Sequence, residues 1–269
     1  MRIKAVLLFV FSSLFSGVIC AAVPDALLFH EKPIEPFCFY NMADESLVID
    51  LSKCGLAEKK YIEKGRDSEL IAKGFIGYSW QDPEFQGEAE GYSYYKYFNA
   101  GKDLYWLYTI NSEGGSGTFT AIHLVKRMTP TSLEVKTLFS GDRCNGGVQD
   151  VTEANNQLTF SVNLTVYDLV ALSKKYSSAI RPYDDLAACA VCCIAKAFYE
   201  VDSKAQAQLK YIDLDNVKSA EELPQQGTQQ SCFNKLFLTY IASGKTKIQQ
   251  NTLDEFVDKF SQQCMQKQN

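Results

Sequence analysis

Three cysteines within five residues are the part of this chain best suited to chemistry. Cys189, Cys192 and Cys193 belong to the segment CAVCC, and Cys144 lies in the glycine-rich corner GDRCNGG. Thiolates at this spacing can bind zinc or copper(I), and a C-x-x-C pair can exchange disulfides. In an oxidising compartment the same cysteines instead form structural disulfides. We therefore consider a structural, a thiol-redox and a metal-thiolate interpretation.

The corner around Cys144 is also a candidate binding loop. It contains three glycines, and Asp142, Arg143 and Asn145 place polar groups on both sides of the cysteine. Glycine permits close approach of the backbone, and Asp and Asn are common in tight turns. We expect either a tight structural corner or a loop that contacts a ligand through these three side chains.

The other chemistry-bearing residues give no catalytic pattern. The chain has two histidines, His30 and His123, and His123 lies within an apolar segment that alternates like a strand. No nucleophile elbow, zinc-protease motif, phosphate loop or dinucleotide fingerprint is present. A structural histidine is therefore the expected role of His123, and the sequence favours a binding protein over an enzyme.

The first 22 residues resemble an export signal. A basic start that includes Arg2 and Lys4 precedes an apolar run, and small residues follow it at Cys20-Ala21-Ala22. We expect residues 1–22 to be cleaved, with no stable membrane insertion afterwards and a periplasmic or extracellular location. Loss of Arg2 and Lys4 changes the formal charge from −5 to −7. This acidic balance disfavours nucleic acid as a partner.

The elements that position these residues divide the rest of the chain into two parts. Residues 23–168 read as antiparallel β-structure, because Leu104–Ile110 and Leu158–Thr165 alternate with period two. Residues 169–269 read as mainly helical and as packing on the sheet. We predict one helix over Asp185–Glu200 and two more in the tail. The predicted fold is α+β, an antiparallel β-meander sheet followed by a disulfide-stapled helical part, in one integrated domain.

The tail contains further element signals. A short strand is predicted over Leu209–Leu214. An apolar stripe predicts a helix over Phe233–Ile241. Thr252 and Glu255 form a capping-box pattern that predicts the start of the last helix.

Disulfide pairing follows from this arrangement. Two antiparallel tail helices bring Cys232 and Cys264 together, and Cys38 and Cys54 are close in sequence. Cys144 then has its partner in the cluster, and the two remaining cluster cysteines bond along the predicted helix. The eight disulfide candidates are Cys38, Cys54, Cys144, Cys189, Cys192, Cys193, Cys232 and Cys264.

These observations predict an exported, disulfide-stabilised binding or inhibitor-like protein. Its ligand is an unknown protein or small molecule, and no metal or cofactor is expected. Tyr92–Tyr97 with Trp106 is a candidate recognition surface, since aromatic side chains are frequent at interfaces. The alternative is an extracytoplasmic thiol-redox or metal-thiolate protein centred on Cys189, Cys192 and Cys193.

Overall fold

The chain is described by a computed structural model over most of its length. The described residues are 23–40, 47–55, 60–61, 65–81, 90–115, 117–202, 205–214, 217 and 219–265. The predicted export signal, residues 1–22 with Cys20, lies outside them.

The larger of the sheets has seven antiparallel strands. Its strands are β3 (Leu47–Asp50), β4 (Lys60–Tyr61), β5 (Ile76–Gln81), β6 (Glu90–Gly101), β7 (Leu104–Ser112), β8 (Phe119–Thr129) and β9 (Ser132–Gly141). They lie in the order β3-β9-β8-β7-β6-β5-β4, so each strand from β4 to β9 pairs with its neighbour in sequence. Helix α1 (Gly65–Ala72) connects β4 to β5, and a small hairpin of β1 (Leu28–Phe29) and β2 (Lys32–Pro33) precedes the sheet.

A second antiparallel sheet has five strands in sequence order. They are β10 (Val148–Ala154), β11 (Gln157–Thr165), β12 (Cys193–Val201), β13 (Ala207–Asp213) and β14 (Lys247–Ile248). The three helices of this half are α2 (Val166–Ala171), α3 (Gly227–Ile241) and α4 (Gln250–Phe260), which continues as a π-helical turn over Ser261–Met265. Short 3₁₀ turns lie at Asp25–Leu27, Pro36–Phe39 and Ala220–Glu222.

Both faces of the seven-stranded sheet are covered, because adjacent residues of a strand point to opposite faces. Trp106 of β7 joins a buried cluster with Phe160 of β11 and Phe233 of α3. The next residue, Leu107, packs on the other face with Phe39 of the N-terminal segment. The first cluster therefore links the two sheets and the helices, and the second anchors the N-terminal segment.

The coarse prediction of an α+β protein with mostly antiparallel sheets is confirmed. The predicted helix over Asp185–Glu200 is wrong, because the chain is irregular up to Cys192 and then forms β12. Strand β12 pairs with β11 on one side and β13 on the other, so its alternate residues Ala197, Tyr199 and Val201 are buried. The region 169–269 thus contains three strands besides its helices and is not mainly helical.

The tail prediction is partly confirmed. The short strand is β13, and the first apolar stripe lies on α3. The prediction that a capping box at Thr252 starts the last helix is wrong. Helix α4 already begins at Gln250, its N-cap residue is Gln249, and no side chain caps the helix. Over the described part of the chain, no helix combines the length and apolar character needed to cross a membrane.

Candidate functional site

The eight cysteines form four pairs at disulfide distance. The pairs and their Cα separations are Cys38 with Cys54 (5.0 Å), Cys144 with Cys193 (6.2 Å), Cys189 with Cys192 (5.3 Å) and Cys232 with Cys264 (5.8 Å). The predicted local pair, the tail pair and the bond from Cys144 to the cluster are confirmed. The prediction that the fourth pair lies on a helix is wrong, since Cys189 and Cys192 close an irregular turn.

The glycine-rich corner joins the two sheets where β9 ends and β10 begins. Its two ends pass so closely that a Cβ atom on Gly147 would lie 2.6 Å from the Cα of Gly141. Cys144 has a positive φ of 51°, and its N–H donates to the Ala190 carbonyl at 2.6 Å. With the Cys144 bond to Cys193, these contacts fix the corner against the start of β12.

The structure brings together two of the three side chains of the candidate binding loop, Asp142 and Arg143, but not Asn145. Arg143 forms an ion pair with Asp142, with 3.1 Å between Nη1 and Oδ1, and its Nη2 donates to the Tyr183 hydroxyl at 3.5 Å. Asn145 is exposed, has a positive φ of 62°, and lines neither of the cavities described next. Asp142 and Arg143 therefore line cavity space, whereas Asn145 is part of the turn.

An outer cavity of about 370 Å³ lies on the face of the seven-stranded sheet that the N-terminal segment partly covers. β7 and β8 form its floor, with Thr109 directly opposite Ala121. Its described lining consists of Phe39, Thr109, Asn111, Phe119, Thr120, Ala121, His123, Ser140, Gly141 and Asp142.

Neutral hydrogen-bonding groups cover the floor of the outer cavity. His123 is 1% exposed, and its Nε2 and Nδ1 lie 3.2 and 3.1 Å from the hydroxyls of Thr109 and Thr137. Burial lowers the pKa of His123 to about 4, so the ring is neutral at neutral pH. Asn111, further along β7, accepts a hydrogen bond at its Oδ1 from the Ser93 hydroxyl at 2.7 Å. Both imidazole nitrogens therefore lie within hydrogen-bond distance of a threonine hydroxyl, and these contacts hold the ring in the floor of the cavity.

An inner cavity of about 360 Å³ lies on the other side of the end of β9, next to β11, α2 and β12. Ser140, Gly141 and Asp142 line both cavities, so the end of β9 forms a wall between them. The lining consists of Phe139, Ser140, Gly141, Asp142, Arg143, Gly147, Val162, Asn163, Leu164, Asp168, Ala171, Leu172 and Tyr199.

The proposed aromatic recognition surface on β6 is not a surface. Tyr92, Tyr94, Tyr95 and Trp106 are each at most 4% exposed. The Tyr95 hydroxyl donates to the Ile34 carbonyl at 3.0 Å beneath the N-terminal segment. These rings are core residues, because β6 lies inside a sheet that is covered on both faces.

The cavity residues that sequence reasoning missed fall into two groups. Thr109 and Asn111 alternate on β7 and share a face with His123. These polar residues on an otherwise apolar face are the sequence feature that could have indicated the cavity floor. The local pattern around Tyr199 predicts a helix, so it gives no indication that this residue lines a cavity.

Comparison of the chain with family models, curated proteins and solved structures finds no match. Its function is therefore inferred from the chemistry of its own residues.

Proposed function

We propose that this chain is an exported, disulfide-stabilised binding protein whose ligand is a small uncharged molecule in the outer cavity. The observation that carries the proposal is the combination of apolar walls with a buried polar floor. Phe39, Phe119 and Ala121 supply apolar surface, and Thr109 and Asn111 supply hydrogen-bonding groups. The volume falls within the range of about 300–1,000 Å³ that is typical of small-molecule sites.

The charges around the outer cavity support an uncharged ligand. Asp142 is the one charged side chain among the described lining residues, and it is already paired with Arg143. His123 is neutral at neutral pH because of its burial. An ion on this floor would lose hydration without gaining a counter-charge, which is unfavourable. Hydroxyl or amide groups on a partly apolar body suit the floor better.

The disulfides support export. Four pairs spread over the chain are compatible with an oxidising compartment, where such bonds persist. We retain the periplasm or the extracellular space as the proposed location.

Ligand-observed NMR with phenol, benzyl alcohol and benzamide tests the proposal on the folded chain. We expect saturable binding of at least one probe by the wild type and its loss in Ala121→Leu, which fills the cavity. Ala154→Leu is the matched control, because Ala154 is exposed at the end of β10. Binding that survives Ala121→Leu, or no binding of any probe, would contradict the proposal.

A second candidate function is thiol-disulfide exchange at Cys189 and Cys192. Its support is the exposure of Cys189 in a turn where Val191 is 84% exposed. An external thiolate could attack one of these sulfurs, with the other leaving as a thiolate. The pairing of Cys144 with Cys193 favours this alternative over a metal-thiolate site, since thiolates are the metal ligands.

Mild glutathione treatment followed by alkylation and mass spectrometry tests the exchange reaction. Selective labelling of Cys189 and Cys192 would support it. The internal control is Cys38, which is 5% exposed and paired with Cys54. Equal labelling of both pairs would count against a dedicated exchange site.

A further inference from the structure

The inner cavity has a buried hydroxyl that lacks a partner. Tyr199 lines this cavity and is 6% exposed, and its hydroxyl has no hydrogen-bond partner within the described structure. An unpaired buried hydroxyl costs stability, so native proteins usually satisfy such groups. Burial raises the pKa of Tyr199 to about 12, so the group stays protonated and can donate or accept a hydrogen bond. A ligand that reaches this hydroxyl from the cavity would supply the missing partner.

The charges around the inner cavity leave one carboxylate without a cation. Asp142 and Arg143 neutralise each other at the rim. Asp168 is partly buried, and its Oδ2 accepts hydrogen bonds from the Thr165 N–H and hydroxyl at 3.1 and 2.7 Å. Its Oδ1 has no partner within the described part of the chain. No further charged side chain is among the described lining residues, so the cavity has an excess of one negative charge.

The rest of the lining is suited to an apolar body. Phe139 lies with its ring 5.1 Å from that of Tyr199, measured between centroids. Leu164, Ala171 and Leu172 add aliphatic surface from β11 and the α2 region. The volume of about 360 Å³ is close to the lower end of small-molecule sites, which span about 300–1,000 Å³. A compact ring or short alkyl chain fits this space.

We propose that the inner cavity is a second ligand site, specific for a small organic cation in which an amine is carried on an apolar or aromatic body. The ammonium group lies against Asp168, the body packs against Phe139 and Leu172, and a polar group of the ligand pairs with the Tyr199 hydroxyl. The outer cavity is proposed to bind an uncharged ligand and the inner cavity a cation. Each proposal can therefore be tested and contradicted independently of the other.

Isothermal titration calorimetry with three matched probes tests this site. It uses the Ala121→Leu variant, because its filled outer cavity keeps the uncharged probe from binding there. Tyramine carries an ammonium group and a phenol, tyrosol replaces the ammonium with a hydroxyl, and 3-(4-hydroxyphenyl)propionate replaces it with a carboxylate. We expect saturable one-to-one binding of tyramine and at least tenfold weaker binding of the other two. Equal binding of all three probes, preference for the anion, or no binding of tyramine would overturn the proposal.

Two tyrosine variants separate ligand recognition from stability. Tyr199→Phe removes a hydroxyl that has no partner among the described residues, so we expect the fold to be kept and tyramine binding to weaken at least threefold. Tyr240→Phe is the matched control, since the Tyr240 hydroxyl is also buried, has no partner in the described part of the chain and lies outside the inner cavity. An equal effect of both variants would refute the assigned role of Tyr199.

Two further variants locate the bound cation. Asp168→Asn keeps an oxygen for Thr165 but removes the charge, and should weaken tyramine binding at least tenfold with an unchanged circular dichroism spectrum. Ala121→Leu fills the outer cavity and should leave tyramine binding unchanged. If Ala121→Leu abolishes binding, or Asp168→Asn has no effect, tyramine binds elsewhere and the proposal fails.

Discussion

At the scale of single residues, Gly147 is a position where the backbone leaves no room for a side chain. An added Cβ would lie 2.6 and 2.7 Å from the Cα and carbonyl carbon of Gly141, and backbone atoms cannot turn aside as a flexible side chain can. We expect Gly147→Ala to lower the free energy of unfolding by about 1–3 kcal/mol, the usual cost of overpacking. Chemical denaturation of the two proteins measures the difference.

The control for this prediction is Gly115→Ala. Gly115 is exposed, and no described atom lies within 4 Å of its added Cβ. We expect a change within about 0.5 kcal/mol, as for ordinary surface substitutions. Similar losses in the two variants would show that the corner is less closely packed than described.

The burial of neutral His123 predicts that the protein loses stability at acidic pH. Its pKa is about 4 in the folded state, against about 6.5 in the unfolded chain. Above pH 6.5 both states are neutral at this ring. As the pH falls from about 6.5 to 4, the unfolded state binds a proton that the folded state excludes, so stability is lost over this range. The loss attributable to His123 approaches about 3 kcal/mol.

Denaturation of wild type and His123→Gln at several pH values between 7 and 4 checks this prediction. The variant should lose less stability than the wild type over this range, whatever its stability at pH 7. His30→Gln is the control, because it removes an exposed imidazole from the same chain. Parallel curves for wild type and His123→Gln would contradict the burial of the neutral ring.

At the scale of elements, β12 shows where local sequence patterns fail. Asp184 resembles a helix cap, and the segment contains Ala195 and Ala197, which favour helices when only their neighbours in sequence are considered. The strand forms because β11 and β13 pair with its two edges. One of these partners, β11, ends at Thr165, well before β12 begins at Cys193, so a pattern read over a short window does not include its contribution. Strands β7, β8 and β9 were predictable because their apolar residues alternate and short connections join them.

Some features of the candidate site could be predicted from the sequence, and others depend on contacts between residues that are distant in the chain. The bond of Cys144 to the cluster followed from eliminating the other cysteines, which depends on the predicted tail helices but not on the helix wrongly predicted over Asp185–Glu200. The sequence also indicates Asp142 as a member of a possible binding loop, and Asp142 lines both cavities. Tyr199 and Asp168 come together only through the packing of β12 and α2 at the end of β9, a long-range arrangement that the local pattern does not contain.

The bond between Cys144 and Cys193 predicts that the corner and β12 are stabilised as a unit. Cys144→Ser should lower the free energy of unfolding by about 2–5 kcal/mol, the usual cost of losing a native disulfide. It should also leave Cys193 as one free thiol. The melting temperature and a thiol count on the folded protein measure the two effects.

The control is the double variant Cys189→Ala with Cys192→Ala. That pair spans 3 residues, against 49 for Cys144 and Cys193, so its removal releases much less chain entropy. A double variant less stable than Cys144→Ser would contradict this order. Peptide mapping that joins Cys144 to a cysteine other than Cys193 would contradict the pairing itself.

At the scale of the whole molecule, the four pairs fix the number of free thiols. The disulfides involve all eight cysteines from Cys38 to Cys264. We expect protein recovered from an oxidising compartment, after loss of residues 1–22, to show no reactive thiol under denaturing conditions. Its intact mass should be lower than that of the reduced form by eight hydrogens. Two or more labelled cysteines in the native preparation would contradict the complete pairing.

The adjacency of Cys192 and Cys193 has a consequence for how the protein can be produced. Neighbouring residues belong to different disulfides, one short and one that joins the two sheets. Exchange of their partners would give an isomer with the same mass and the same number of bonds. Because disulfide reshuffling takes seconds to hours, depending on oxidant and isomerase, a chain oxidised before its sheets have docked can remain in that isomer. We therefore expect recombinant yields to depend on a disulfide isomerase, and chromatographic separation of equal-mass species to serve as the measure of correct folding.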